Sequence, residues 1–350
     1  MTWKDKLELG LKKDAAFRKD NLPPDQVRGP ELPSGPGRSP EIPMARDDRN
    51  EVAAPSDDVE SDADSSANPP VEAPETGQPQ EGAPAAIPRT RRYDLTSKIN
   101  GRTYRVFVST PSKADPGKAD PVVYILDGNW YFAAASINVD ESARGGNSRA
   151  IVVGIGYPTD DNDVVSTRRA FELTISAAPT DKEPGLRGGG DAFLRVLEEE
   201  VKPFVAARYK IDPARQILYG KSLGGLMVLR QLLRHPEAYS TYIAASPSIW
   251  WNDREVLADE GTFAKRAKAG ELSVRLLLTS AGDEQYRGDD PKIRAADSRR
   301  MIDNVSELAS RLAPLNPEKV TVTRVIFPEE THVSVSLASL GRALTFALKP

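Results

Sequence analysis

The feature that most narrows the fold is a succession of short apolar runs: Val122–Leu126, Ala150–Gly154, Gln216–Tyr219, Tyr242–Ala245, Val274–Thr279 and Val320–Phe327. Most are too continuously apolar for strands with one wet face. Helical patterns near 191–208, 223–234, 293–312 and 335–348 lie between or after them. Apolar strands separated by helices predict an α/β protein whose mostly parallel central sheet is covered by helices on both faces. Ahead of them, residues 91–96 and 102–109 alternate apolar with polar and flank Asn100-Gly101. That pairing predicts an antiparallel hairpin leading into the sheet.

The chain does not carry this pattern throughout its 350 residues. Fourteen of its 29 prolines fall between Asn21 and Thr90, where no apolar run is long enough to build a core. Between Asp47 and Glu81 acidic residues accumulate around a single base, Arg49. Few hydrophobics, many prolines and excess charge predict a disordered tail over 1–90, ahead of one domain over 91–350. Within the tail, Trp3, Leu7, Leu11 and Phe17 would share one side of a short amphipathic helix near 3–19, ended by Pro23-Pro24.

The tail carries a net charge of −7 against −4 for the whole chain, which leaves +3 for the domain. So nearly neutral a domain carries no nucleic-acid footprint. The chain has no cysteine, which excludes disulfides, thiol nucleophiles and thiolate-bound metals. The first ten residues lack the apolar stretch of a signal peptide, and no run reaches the ~18 apolar residues of a membrane helix. A cytoplasmic protein is expected, with no partner indicated for the tail.

Strand Gln216–Tyr219 runs into Gly220-Lys221-Ser222-Leu223-Gly224-Gly225, and an apolar helix follows. This is G-x-S-x-G in the strand, sharp turn and helix context that raises a serine hydroxyl above a sheet. Serine needs an adjacent base to become a nucleophile, and the chain offers two histidines. His235 ends the very helix that Ser222 opens, about 20 Å away at 1.5 Å per residue. Its place at a helix C-terminus suits a structural role. His332 follows the last strand and precedes the last helix, and is the expected base. An acid should orient it from a loop between the two. Asp283 and Glu284, after strand Val274–Thr279, both qualify by spacing. Backbone amides of Leu223 and Asn129 are the expected oxyanion donors, the second in a loop that Gly128 allows to turn inward. No metal or organic cofactor is required.

These residues resemble the putative-esterase family of α/β-hydrolases, in particular its siderophore-esterase branch, over roughly residues 90–350. Tyr124-Ile125-Leu126-Asp127-Gly128-Asn129 is similar to the family's oxyanion strand and loop, and Val152-Val153-Gly154-Ile155-Gly156-Tyr157-Pro158 to its next strand. Arg169-Ala170-Phe171-Glu172-Leu173-Thr174 resembles its Arg-x-x-Asp-Tyr-Thr stretch, with Glu172 in place of aspartate. Ser246-Pro247-Ser248-Ile249-Trp250-Trp251 resembles a segment that lines the pocket. The resemblance implies the α/β-hydrolase fold, Glu284 as the acid, and hydrolysis of carboxylic esters, siderophore trilactones among them, through an acyl-enzyme. It points to Trp130, Trp250, Trp251 and Arg169 as substrate contacts. The sequence departs from the family at Lys221, where histidine is usual, and around the base, where Thr331-His332-Val333 replaces Asn-His-Gly. Two other readings compete: an acyltransferase of the same fold, and a non-catalytic scaffold whose tail recruits a partner.

Overall fold

A computed structural model of the protein describes residues 86–349 apart from 113–116, 180, 183 and 286–298. The tail expected over 1–90, with its helix near 3–19, therefore lies almost wholly outside the described residues. Eight strands form one sheet in the order β1-β2-β4-β3-β5-β6-β7-β8. They are β1 Thr90–Thr96, β2 Thr103–Ser109, β3 Asp120–Leu126, β4 Ile151–Gly156, β5 Ile211–Lys221, β6 Thr241–Ala245, β7 Val274–Ala281 and β8 Val320–Phe327. β1 pairs antiparallel with β2, and β2 antiparallel with β4. Every other pairing is parallel. The hairpin turns through residues 98–101, closed by Ser97 N–H donating to the Arg102 carbonyl at 2.9 Å.

Strand side chains alternate between two cores, which explains why the runs read as continuously apolar. Val122, Tyr124 and Leu126 of β3 face one cluster, and Val123 and Ile125 the other. The first face is covered by helices α2 (Asn162–Glu172), α3 (Gly190–Val196), α4 (Lys202–Ala206), α5 (Leu223–Arg234), α6 (Glu260–Lys268) and α7 (Met301–Leu312). The second is covered by α1 (Gly128–Arg144), through Phe132, Ala135 and Val139, and by α8 (Val335–Leu348), through Leu340, Leu344 and Leu348. Of these helices, α1, α2 and α6 fall outside the segments predicted from sequence. Each is cut by polar residues or short, so tertiary packing rather than a clean apolar stripe holds it. The predicted helix 293–312 is described only from Met301. The parallel strands place their C-terminal ends, and the loops leaving them, along one edge, where ligands of such sheets bind.

Candidate active site

β5 ends at Lys221 and α5 begins at Leu223, so Ser222 must turn the chain within one residue. It does so at φ 58°, ψ −116°, a strained conformation for a residue with a side chain. The turn brings Gly220 against α5 so closely that a Cβ there would lie 2.3 Å from the Gly224 carbonyl oxygen. Glycine is therefore required at that position. The elbow is pinned by Ser222 N–H donating to the Ala245 carbonyl at 2.9 Å, and by the Ser222 carbonyl accepting from Leu226 N–H at 2.9 Å and Ser248 N–H at 3.1 Å.

A cavity of about 180 Å³ opens over this elbow. Ser222, Ser248, Trp250 and His332 line it together with Asp283, Glu284, Arg299 and Met301. His332 Nδ1 meets Glu284 Oε1 at 2.5 Å, while Glu284 Oε2 accepts from Ala281 N–H at 2.9 Å. The Glu284 side chain is 1% exposed and that of His332 39%. Of the two neighbouring acids, then, Glu284 touches the imidazole. Exposed Asp283 instead uses its backbone N–H on the Glu330 carbonyl at 2.9 Å, which ties the acid's loop to the histidine's. His235 stands elsewhere, exposed at the end of α5, 4.0 Å from Glu237.

The Ser222 hydroxyl lies 3.3 Å from Ser248 Oγ. Ser248 was not singled out by sequence reasoning; the signal was its place in the Ser246–Trp251 segment. Leu223 and Asn129 each sit in the first turn of a helix, where amides lack intrahelical acceptors. Among the described residues neither amide has one. Asp127, the residue before α1, adopts φ 57° and spends its carbonyl on Trp130 and Tyr131 N–H. The Asn129 side chain splints this loop to the one after β4. Its Oδ1 accepts from Tyr157 N–H at 2.7 Å, and its Nδ2 donates to the Tyr157 and Thr159 carbonyls at 3.1 and 2.9 Å.

The expected substrate contacts separate. Trp250 lines the cavity. Trp251 packs on the first core, its indole N–H donating to the Ser176 carbonyl at 3.0 Å. The Trp130 ring is partly exposed and donates to Asn162 Oδ1 at 3.1 Å. Arg169 is not an open cation. Its Nε donates to Asp127 Oδ1 at 2.8 Å and its guanidinium also donates to the Lys221 carbonyl at 3.3 Å. It thereby braces Asp127, at the start of α1, against Lys221 at the end of β5, because an aspartate with 0% side-chain exposure needs a buried counter-charge. Lys221 is nearly as buried, at 5% exposure. Burial pushes its ammonium down to about 8; Glu284 and Asp127 oppose the fall and Arg169 adds to it.

A serine in a strained strand–helix elbow, sharing a cavity with a carboxylate-paired histidine on a doubly covered parallel sheet, places the protein among serine hydrolases of the α/β-hydrolase fold. The sequence profile of the family described as Putative esterase matches residues 97–312, and the chain belongs to that family. It is 36% identical over 273 residues to the ferri-bacillibactin esterase BesA of Bacillus subtilis, covering 75% of this chain and 91% of that one. It is 32% identical to the siderophore triacetylfusarinine C esterase of Aspergillus fumigatus, covering 75% and 94%. Among solved structures, the BES protein from Bacillus cereus superposes with a TM-score of 0.69 at 29% identity, over 78% of this chain and all of that one. Siderophore hydrolase EstA from Aspergillus nidulans gives 0.67 at 32%, over 76% and 96%. No helix among the described residues is long and apolar enough to cross a membrane.

Proposed function

We propose that this esterase hydrolyses siderophore trilactones through an acyl-enzyme on Ser222. The observation that carries the reading is the His332 Nδ1–Glu284 Oε1 contact at 2.5 Å in the cavity that Ser222 also lines. Ser222 Oγ attacks the ester carbonyl while His332 Nε2 takes its proton. Glu284 holds the imidazole in the tautomer with Nδ1 protonated and stabilises the imidazolium. The Leu223 and Asn129 amides hold the oxyanion, each worth about 3 kcal/mol to the transition state. As the tetrahedral adduct collapses, the alkoxide leaves with the proton from His332. Water, deprotonated by the same imidazole, then releases the acid and restores Ser222. Trp250 offers an indole face on which an aromatic acyl group can stack.

The substrate class draws support from the relatives' names and from Trp250 in the cavity. Its test is kcat/KM on ferric and iron-free catecholate trilactones beside p-nitrophenyl acetate and butyrate, for wild type, Ser222→Ala and Trp250→Ala. The trilactones should be the better substrates for wild type, and Trp250→Ala should lose more on them than on acetate. A preference for the short esters that Trp250→Ala leaves unchanged would remove the siderophore reading and leave a general carboxylesterase.

A further inference from the structure

Two consecutive arginines stand where the chain enters α7, and the fold uses them differently. Arg300, at φ 43°, pairs with Glu307 at 2.5 Å and Asp303 at 3.5 Å. Arg299 lines the cavity of Ser222 and His332, and among the described residues its guanidinium has neither an ion pair nor a hydrogen bond. Its backbone is nevertheless fixed, since the Arg299 carbonyl accepts from buried Asn304 Nδ2 at 3.0 Å. Gln285, which directly follows Glu284, pins the same helix start. Its Oε1 accepts from Ile302 and Asp303 N–H at 2.9 and 3.0 Å, and its Nε2 donates to Asp303 Oδ2 at 2.7 Å. One buried side chain thus holds the segment of Arg299 in register with the acid beside His332.

We propose that Arg299 is the anion-recognition residue of this cavity, binding an ionised oxygen on the acyl part of the ester and selecting anionic aromatic acyl groups. The inference rests on the reading of Ser222 as nucleophile and goes beyond it to what the site accepts. A guanidinium without a partner among the described residues presents a planar fork of donors suited to carboxylate or phenolate oxygens. The other arginine near the elbow, Arg169, is committed to Asp127. Trp250 supplies an aromatic wall to the same small space. Asp283 also lines the cavity, outside ion-pair distance of Arg299, and repels an anion placed near it. The preference should therefore depend on where the acyl group carries its charge.

The test uses pairs of phenyl benzoates, identical except that one bears a ring carboxylate, meta or para, and the other the carboxamide. Wild type should favour the better-placed carboxylate by about tenfold or more in kcat/KM, the range of a charge-assisted hydrogen bond. Arg299→Gln should bring that ratio near or below one, and Arg299→Lys should restore part of it, a point charge replacing the fork. A wild-type ratio near one at both ring positions, or a ratio that Arg299→Gln does not change, overturns the proposal. Ser222→Ala separates the two levels. If it abolishes turnover of every ester while the ratio ignores Arg299, only the anion site is wrong; if it leaves turnover intact, the nucleophile reading fails as well.

Discussion

The two sides of the cavity shared by Ser222 and His332 are built in opposite ways. Ser222 stands at the end of a central strand, on a helix whose inner residues are buried, with Arg169 bracing the elbow to the neighbouring loop. His332 sits beyond β8, the edge strand, most of which is half-buried or exposed, and its neighbour Val333 is 79% exposed. Its loop is held to the acid's loop by the Glu284 contact and by Asp283 N–H on the Glu330 carbonyl. Ser222 is fixed by backbone geometry and close packing, whereas His332 is held by a few polar contacts. Apart from Ser222 and His332 themselves, substitutions should therefore act through packing and stability on the serine side and through orientation on the histidine side.

The largest effect is expected from Ser222→Ala and His332→Ala. Each should lower ester turnover by about 10⁴-fold or more, and the double variant little further, because the two act as one unit. Additive losses would show that they do not. Next comes Glu284→Gln, which keeps the shape but lets the wrong tautomer form. A loss of about 10³–10⁴-fold in kcat is expected, with Asp283→Asn far milder. Equal small losses in both would mean that the Glu284 contact does not orient the base.

Arg169→Gln sharpens the comparison from the other side. It leaves the Asp127 carboxylate buried without its counter-charge, which costs on the order of 3–5 kcal/mol. The denaturation midpoint should drop accordingly, with activity falling alongside. Activity lost at unchanged stability would instead point to direct substrate contact, the role expected for Arg169 from the sequence.

Lys221→Met should have a smaller effect, and one that depends on pH. In the unfolded chain the amine stays protonated up to its ordinary 10.5, and in the fold only up to about 8. Between these values the unfolded state holds more protons, so stability rises with pH; below about 8 the buried charge is a constant cost. Replacing it should raise stability at pH 7 by on the order of 1–3 kcal/mol, a gain that shrinks as pH approaches 10.5. Melting temperatures at pH 7 and 10 decide this, and an equal gain at both would contradict a titrating, buried Lys221. The smallest effect belongs to His235→Ala, outside the cavity, which should keep nearly full activity on any ester.

What was legible in the sequence follows the same division. The elbow could be read because local geometry demands glycines around the serine in a strand–turn–helix, and the strands because burial on both faces leaves continuous apolar runs. Choosing between Asp283 and Glu284 by spacing was impossible, since the choice depends on which carboxylate points at a loop 48 residues away. The roles of the arginines were equally hidden. Arg169 lies in the last turn of α2 and Arg299 just ahead of α7, and only the fold shows that one meets a buried aspartate while the other lines an open cavity. Ser248 escaped notice because a serine two residues past a strand-end turn carries no pattern of its own.

Everything proposed for this cavity depends on His332, oriented by Glu284, making Ser222 nucleophilic. The most direct measurement is the rate of covalent modification by a fluorophosphonate, with the labelled peptide identified by mass spectrometry, in wild type, His332→Ala and Glu284→Gln. A single labelled site at Ser222 is expected, slowed by orders of magnitude in both variants. Labelling of another residue, or a Ser222 rate indifferent to both substitutions, would contradict it.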